Sequence, residues 1–370
     1  MAKICFITNY ASHYHLAKWQ LMASTFNIDF VFDDDVTKAK GVKQMDLSQI
    51  NAKTLKVRNY FFKDHMIWQR GVVKLAFKGE YDKYIVTEEV TCISSWIMAL
   101  IVKFNKKKKF FRGDGHGWYG REGFIKRLIK KTAFKLSDGE FVYGSYAKNI
   151  MIDNGLDENK IWVVHNSLNH AEQLIYRNTF SDIYKSHFRN DYPVLLFVGR
   201  LISSKRLEMI LSAIEILKND CFECNCIIIG DGEIKKELVE MTKNKKIENN
   251  IWFYGASYSE PELSKLITNA DLCVSPGNIG LTAIHSLTYG TPVITSDDFK
   301  NQGPEFEAIK SGMTGDFFKA GCVNDLSQKI KSWLLVQKNR DRVRKNCYDE
   351  IDKYWTPEFK INVFKNVLNN

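Results

Sequence analysis

Two cations in the second half of the chain carry the chemistry that is easiest to name. Arg200 and Lys205 follow an apolar run, Val194 to Val198, and precede a segment with helical spacing. Arginine presents a planar fork of donors and lysine a mobile point charge, so the pair suits the two phosphates of a diphosphate. Taken alone, two cations in a loop are equally typical of an ordinary solvated surface.

A glycine-bearing loop further along the chain is a second candidate for binding an anion. The stretch Pro276 to Val293 reads PGNIGLTAIHSLTYGTPV and follows a short apolar run that ends in Ser275. Gly280 precedes apolar residues at helical spacing, and Gly290 with Pro292 ends that helix. A loop that runs into a helix presents unpaired backbone N–H groups and a positive dipole end, which favours a diphosphate. Any strand, loop and helix of an α/β domain shares part of this pattern.

Strand-like and helix-like segments alternate along the whole chain, which predicts an α/β fold with parallel sheets and helices on both faces. A chain of 370 residues with 45% hydrophobic content is long enough for two domains. We predict a first domain over residues 1–175 and a second over 190–350. The polar stretch 170–192 is expected to be a linker, and residues 351–370 a terminal helix that packs back on the first domain.

The net positive charge of the chain comes from its first half. Residues 1–180 contain 28 Lys/Arg and 18 Asp/Glu, whereas residues 181–370 contain 25 of each. A basic cluster falls within 33 residues: Lys103, Lys106 to Lys109, Arg112, Arg121, Lys126, Arg127, Lys130, Lys131 and Lys135. This charge favours docking on an anionic membrane leaflet, where each cation adds roughly 1 kcal/mol. A nucleic-acid partner is disfavoured, because aromatic residues are not interleaved as stacking platforms.

Cysteine usage and apolar run lengths bear on the compartment. The eight cysteines are scattered, and Cys221, Cys224 and Cys226 lack the second half of a metal site. We therefore expect free thiols in a reducing cytoplasm, and we interpret the acidic triplet at Asp33 as a solvated turn. The N-terminus lacks the apolar length of a signal peptide, and no run is long enough to span a bilayer. The predicted location is cytoplasmic, peripheral on the inner face of the plasma membrane.

Four segments in a fixed order resemble the C-terminal domain of family-4 glycosyltransferases of the GT-B fold. They are FVGRLISSKRLEMILSAIEIL, IIIGDGEIKKEL, IWFYGASYSEPELSKLITNADLCVSP and GLTAIHSLTYGTPVITSDDF, within residues 194–315. The resemblance implies two Rossmann-like domains, each with a doubly wound parallel sheet, and a cleft between them. It also implies transfer of a sugar from a nucleotide-diphosphate donor with retention of configuration. The Gly-Asp-Gly at 230–232 lacks the third glycine of a dinucleotide fingerprint, so NAD binding is disfavoured.

The resemblance assigns roles to donor-site residues by position. Gly199, Arg200 and Lys205 match the segment that binds the donor diphosphate, and the two cations are also expected to assist catalysis. Gly280, Leu281 and Thr282 match the helix start that contacts the phosphates through backbone N–H groups.

The sequence departs from the family at the motif of two glutamates separated by seven residues. Those positions are Gly277 and His285 here. Neutral histidine offers one acceptor nitrogen where a carboxylate accepts both ribose hydroxyls, so ribose binding is expected in altered form. Recognition of the donor sugar then falls to Asn278, Glu305 or Glu307.

Three further histidines belong to the first half of the predicted site. His116 lies in the loop RGDGHGWYGREG, where the family often has a histidine that reaches the donor sugar and its phosphate; ordinary surface exposure is the alternative. Tyr10, Ser12, His13 and His15 are predicted to bind the acceptor, or else Ser12 caps the first helix. Catalysis would then rest on positioning and electrostatic stabilisation of the leaving diphosphate, without a carboxylate pair.

The resemblance therefore implies a hexosyltransferase that needs neither metal nor cofactor. The acceptor is expected to be a glycan or a polyprenyl-diphosphate-linked lipid, in bacterial surface polysaccharide (capsule, O-antigen) or glycolipid synthesis. Two alternatives stay open: a sugar-nucleotide epimerase or hydrolase of the same fold, and a sugar-nucleotide-binding protein without activity.

Overall fold

A computed structural model describes residues 1–12, 15–33, 45–62, 66–87, 92–115 and 124–369, without the side chains of 124–127 and 129. The chain divides into two compact units. The first comprises Met1–Asn169 together with Pro357–Asn370, and the second comprises His170–Thr356.

The first unit is built on an eight-stranded sheet. Its strands are β1 (Ile4–Tyr10), β2 (Ile28–Asp33), β3 (Thr54–Phe61), β4 (Ile67–Arg70), β5 (Lys83–Thr87), β6 (Lys108–Gly113), β7 (Gly139–Val142) and β8 (Ile161–Val163). Their order is β4-β3-β2-β1-β5-β6-β7-β8, and its helices are α1 (Leu16–Thr25), α2 (Val72–Lys78), α3 (Ile93–Phe104), α4 (Phe124–Leu136), α5 (Ser145–Asp153) and α14 (Pro357–Leu368). All neighbours are parallel except β3 and β4, which pair antiparallel, so the sheet is mixed rather than wholly parallel.

Alternation along β1 shows how the sheet buries both faces. Ile4 and Phe6 belong to a core that includes residues of α1 and α14, whereas Cys5 and Ile7 belong to a core with residues of α2 and α3. Successive side chains of a strand point to opposite faces, and a sheet buried on both faces needs apolar residues at every position. Helices therefore cover both sides of the central strands.

The last helix of the chain completes the core of the first unit. Ile361, Phe364 and Leu368 are buried on α14, and the Phe364 ring lies edge-on to Phe141 with centroids 4.5 Å apart. The Lys83 ammonium donates a hydrogen bond to the Leu368 carbonyl. Residues 351–354 belong to the preceding helix, so the segment in the first unit begins at Pro357.

The second unit has a fully parallel six-stranded sheet. Its strands are β9 (Val194–Val198), β10 (Asn225–Ile229), β11 (Ile251–Gly255), β12 (Leu272–Ser275), β13 (Val293–Ser296) and β14 (Gly315–Phe318), in the order β11-β10-β9-β12-β13-β14. Its helices are α6 (His170–Ile175), α7 (Ile183–Phe188), α8 (Glu208–Asn219), α9 (Lys235–Asn244), α10 (Glu260–Asn269), α11 (Thr282–Thr288), α12 (Val323–Val336) and α13 (Arg340–Tyr354).

The segment 170–192 is structured, and the prediction of a linker there is wrong. It forms α6 and α7, whose side chains are anchored on the second unit. Arg177 makes two hydrogen bonds to Asp352, at 2.8 and 2.6 Å, and the Tyr184 hydroxyl donates to the Leu266 carbonyl at 2.5 Å. Its polar composition reflects helices that bury few residues each.

Two simple features complete the fold. Within the described part of the chain, no helix combines the length and apolar composition needed to cross a membrane. All eight cysteines are free thiols, and five of the six buried ones have a pKa raised above the usual range, mainly by burial.

We predict that Phe364→Ala lowers the free energy of unfolding of the first unit by about 3–5 kcal/mol, because it empties a core position. Chemical denaturation measures the change. Lys365→Ala on the exposed side of the same helix is the matched control and should shift stability by less than about 0.5 kcal/mol. Equal effects of the two substitutions would show that α14 is not part of this core.

Candidate functional site

The candidate site of the second unit lies at the carboxyl ends of β9, β10 and β12. The Gly199 amide at the end of β9 donates to the Ile229 carbonyl at 2.9 Å, which draws the two strand ends together. A Cβ on Gly230 would lie 1.9 Å from the Gly199 oxygen, so only glycine fits there. The Gly-Asp-Gly motif therefore serves close backbone packing at this edge.

Lys205 and Arg200 lie close together at this edge. The Lys205 ammonium donates to the Asn278 carbonyl. Burial lowers the pKa of Lys205, and the neighbouring Arg200 charge lowers it further, while Glu305 acts in the opposite direction. Arg200 is exposed. Two adjacent positive charges, one of them partly desolvated, form a place where an anion is attracted.

The loop after β12 is held in one conformation by a buried glutamine. The Gln302 carbonyl oxygen accepts from the Ile279 amide at 2.9 Å, and its amide group donates to the Ser296 hydroxyl at 3.0 Å. The Asn278 amide donates to the Asn301 carbonyl at 2.7 Å. Sequence reasoning missed Gln302, because a lone glutamine after a strand gives no periodic or motif signal.

The start of α11 presents backbone donors beside these cations. Thr282 donates its hydroxyl to the Val198 carbonyl at 3.1 Å, which fixes the helix start against the end of β9. Among the described residues, the amides of Gly280, Leu281 and Thr282 have no hydrogen-bond acceptor. Unpaired N–H groups at a helix start, next to cations, are an arrangement that attracts an anion.

Gly277 has no room for a side chain. A Cβ at this position would lie 2.1 Å from the Ser204 carbonyl oxygen and 2.9 Å from the Lys205 Cα. The Gly277 amide donates to the Lys205 carbonyl at 3.2 Å, so the close approach is also bonded. The backbone path therefore requires glycine at this position.

The three alternatives for sugar recognition lie in different surroundings. Glu305 is buried and close enough to Lys205 to affect its pKa. The Asn278 side chain is bonded to the Asn301 backbone. Glu307 is half-buried, and its carbonyl accepts from the Lys310 ammonium at 2.7 Å.

His285 is paired with a carboxylate that sequence reasoning did not assign a role. Its Nε2 lies 2.8 Å from Glu260 Oε1, and the same oxygen accepts from the Tyr289 hydroxyl and, at 3.2 Å, from the Gln173 amide. Burial raises the pKa of Glu260, but these hydrogen bonds outweigh it and hold the pKa at about 2. A charged carboxylate thus accompanies His285 at the position expected to meet the ribose.

A pocket of about 270 Å³ opens at the ends of β9, β10 and β11. Its lining includes Val198, Gly199, Arg200, Asp231, Ser257 and Tyr258. The loop that carries Ser257 and Tyr258 leads directly into α10, whose first residue is Glu260. One edge of the sheet therefore carries the pocket, the two cations and the Glu260–His285 pair.

The predicted acceptor residues lie at the carboxyl end of β1. Tyr10 ends the strand, Ser12 is buried, and the Ser12 carbonyl accepts from the His15 amide at 2.9 Å. Among the described residues no side-chain hydrogen bond caps α1, so the alternative in which Ser12 caps this helix is wrong. His13 and His116 lie outside the described residues.

The structure corrects the predicted basic cluster. Lys109, Arg112 and Lys130 are buried and do not belong to a basic surface. Lys109 donates to the Ser95 carbonyl at 3.2 Å, and burial lowers its pKa to about 7. Arg112 donates to the Tyr143 hydroxyl at 2.8 Å. The positions of Arg121 and of the Lys126 and Arg127 side chains lie outside the described part.

Within the described ranges, no three His, Cys, Asp or Glu side chains converge where a metal ion could bind. Asp33, the described member of the acidic triplet, is buried at the end of β2 and accepts from the Asn59 backbone amide at 2.7 Å, so the expectation of a solvated turn is wrong for this residue.

Comparison with known proteins points to one class. Residues 179–350, all within the second unit, match the family model described as glycosyl transferases group 1. Sulfoquinovosyl transferase SQD2 of Arabidopsis thaliana is 25% identical over 184 residues, which are 48% of this chain and 34% of that protein. The chain thus spans about a third of the length of this relative.

Solved structures share the fold over the whole chain. The Anabaena protein HepE, solved in complex with UDP, matches with a TM-score of 0.74 and 16% identity over 100% of both chains. The lipopolysaccharide outer core galactosyltransferase WaaB, in its apo form, matches with a TM-score of 0.70 and 17% identity over 99% of both. The two α/β units therefore have the fold of GT-B glycosyltransferases, and the comparisons support a glycosyltransferase.

We predict that Glu260→Gln lowers the free energy of unfolding by about 3 kcal/mol at pH 7. The folded pKa of Glu260 lies below its ordinary value, so its stabilisation is present above about pH 4.5 and is lost as the pH falls towards 2. The difference between wild type and variant should shrink over that interval in denaturation curves. Glu248→Gln, at an exposed position, is the control and should show no such pH dependence. A constant difference down to pH 3 would contradict the assignment.

Proposed function

We propose that this chain is a retaining glycosyltransferase that uses a nucleotide-diphosphate sugar and no metal. The observation that carries the proposal is the meeting of Arg200, Lys205 and the unpaired amides at the start of α11 at one edge of a parallel sheet. The match of residues 179–350 to group 1 glycosyl transferases supports it, since the match covers this site.

The donor is proposed to lie along this edge. The nucleobase fits the pocket that includes Tyr258, whose ring and the apolar strand ends can contact a flat heterocycle. The diphosphate then meets Arg200, Lys205 and the amides of Gly280 to Thr282. The Glu260–His285 pair is proposed to take the place of the family's glutamate and accept from the ribose hydroxyls.

Recognition of the sugar itself is proposed to rest on Glu305, which is buried beside Lys205, with Asn278 and Glu307 as further candidates. Gly277 contributes only its backbone, because the Ser204 carbonyl excludes a side chain. A sugar recognised by the buried Glu305 carboxylate is expected to have a different arrangement of hydroxyl groups from a sugar recognised by a glutamate at position 277.

Chemistry is proposed to depend on the leaving group. The bond between the anomeric carbon and the diphosphate oxygen breaks, and the acceptor oxygen bonds to the same face of the sugar. The acceptor proton passes to the departing phosphate oxygen, so no enzymic base is required. Arg200, Lys205 and the α11 amides stabilise the charge that develops on the diphosphate.

The acceptor is proposed to be a glycan or a polyprenyl-diphosphate-linked lipid at the inner face of the plasma membrane, in surface polysaccharide or glycolipid synthesis. It would contact the first unit at Tyr10, Ser12 and His15. His13 and His116, which lie outside the described residues, stay predictions of the sequence. The fold shared with a lipopolysaccharide galactosyltransferase supports this choice of acceptor class.

We expect Lys205→Ala and Arg200→Ala each to weaken binding of UDP by about ten- to a hundredfold, since each removes a charge-assisted bond to phosphate. Thermal shift titration of UDP against UMP measures this, with GDP, dTDP and CMP in a parallel panel. UMP binding should change little, because it lacks the second phosphate. Lys236→Ala replaces an exposed cation of the same unit and serves as the control. Unchanged diphosphate binding in both variants would refute the proposed site.

We expect the product glycoside to keep the anomeric configuration of the donor sugar, and proton NMR of the anomeric signal decides this directly. The same incubation without acceptor tests the other activities of this fold. An epimerised or hydrolysed donor at a comparable rate would replace transfer as the function, and an inverted product would overturn the retaining mechanism. A donor that binds but never reacts would indicate a binding protein.

A further inference from the structure

Helix α3 exposes an apolar stripe along its outer face. Ile93, Ile97, Leu100 and Phe104 recur at helical spacing, and Leu100 and Phe104 are 56% and 88% exposed. The opposite face of the helix, with Met98 and Val102, is buried against the sheet. A helix on the surface of a soluble domain normally turns polar residues outward, so an apolar outer face indicates a partner.

The stripe continues onto the neighbouring helices. The Asn105 amide at the end of α3 donates to the Ala76 carbonyl of α2 at 3.3 Å, so the two helix ends adjoin. Phe77, next to Ala76, is 69% exposed. On the other side α4 packs against α3 and exposes Leu128 at 55%. Three helices on one face of the sheet thus present one apolar surface.

Positive charge surrounds this surface. Lys103 and Lys106 flank Phe104, and Lys74 lies on α2; all three are exposed, and none makes an ion pair among the described residues. The nearby acids are already paired, Glu80 with Lys78 at 3.5 Å and Asp82 with Lys107 at 2.8 Å. The first unit as a whole contains 29 Lys/Arg and 18 Asp/Glu.

We propose that the α3 stripe docks the protein on an anionic lipid leaflet. Leu100, Phe104 and Phe77 would enter the boundary between headgroups and acyl chains, while Lys103 and Lys106 reach the lipid phosphates. The helix is about 18 Å long, so it lies in the interface and does not cross it. Among the described residues of these three helices, most of the exposed apolar side chains lie on α3.

The same charges argue against two other occupants. In a symmetric dimer through this face, two surfaces that both carry unpaired lysines would face each other, and like charges would repel. A nucleic-acid backbone would satisfy the lysines but would leave the apolar side chains against phosphate and water. An anionic bilayer offers partners to both kinds of residue.

Vesicle flotation with the full chain tests the proposal, using phosphatidylcholine vesicles with and without one quarter phosphatidylglycerol. We expect binding to the anionic vesicles that falls at least tenfold in Leu100→Ser/Phe104→Ser. Lys103→Glu/Lys106→Glu alters only exposed side chains and should remove the preference for anionic lipid. Leu335→Ser/Val336→Ser changes an equally exposed apolar pair on α12 and should bind like wild type.

Three results would overturn the proposal. The first is that wild type does not bind anionic vesicles. The second is that Leu100→Ser/Phe104→Ser and Lys103→Glu/Lys106→Glu both bind like wild type, and the third is that the α12 control loses as much binding as the Leu100→Ser/Phe104→Ser variant. Analytical ultracentrifugation adds a fourth, a wild-type dimer that Leu100→Ser/Phe104→Ser converts to monomer. A UDP thermal shift on each variant reports the donor site separately, so a failed donor proposal and a failed docking proposal are distinguishable.

Discussion

The contact between the Gly277 amide and the Lys205 carbonyl is the constraint on which the candidate donor site depends. It brings the loop after β12 against the loop after β9, and the Lys205 ammonium then reaches the Asn278 carbonyl from the same segment. Gln302 fixes the far side of that loop. The two loops carry both cations and the α11 amides. Loss of the contact would therefore separate the groups of the candidate donor site.

The same constraint decides what position 277 can carry. A position whose Cβ would overlap the Ser204 carbonyl cannot hold a side chain that contacts a ligand. At position 285 the histidine is accompanied by a carboxylate, because Glu260 is bonded to His285. A negative group therefore lies next to α11.

Much of the fold could be predicted from the sequence, because the pattern of hydrophobic residues clearly indicates buried strands such as Val194–Val198. The edge pair β3 and β4 could not, since an edge strand alternates polar and aromatic residues without a continuous apolar run.

Arg200, Lys205 and the α11 start were predicted from type and order. Glu260 and Gln302 were not, because their partners lie 25 and 23 residues away and only the fold brings them together. Composition also misled: Lys109 belongs to a run of four lysines yet is buried against Ser95.

Two separate segments of the chain form the first unit, one ending at Asn169 and the other beginning at Pro357. During synthesis on the ribosome, the sheet face around Phe141 would therefore lack Ile361, Phe364 and Leu368 until those residues have emerged. The second unit is formed by one contiguous segment, which is synthesised before them. The first unit can thus complete its core only after the whole second unit has been made.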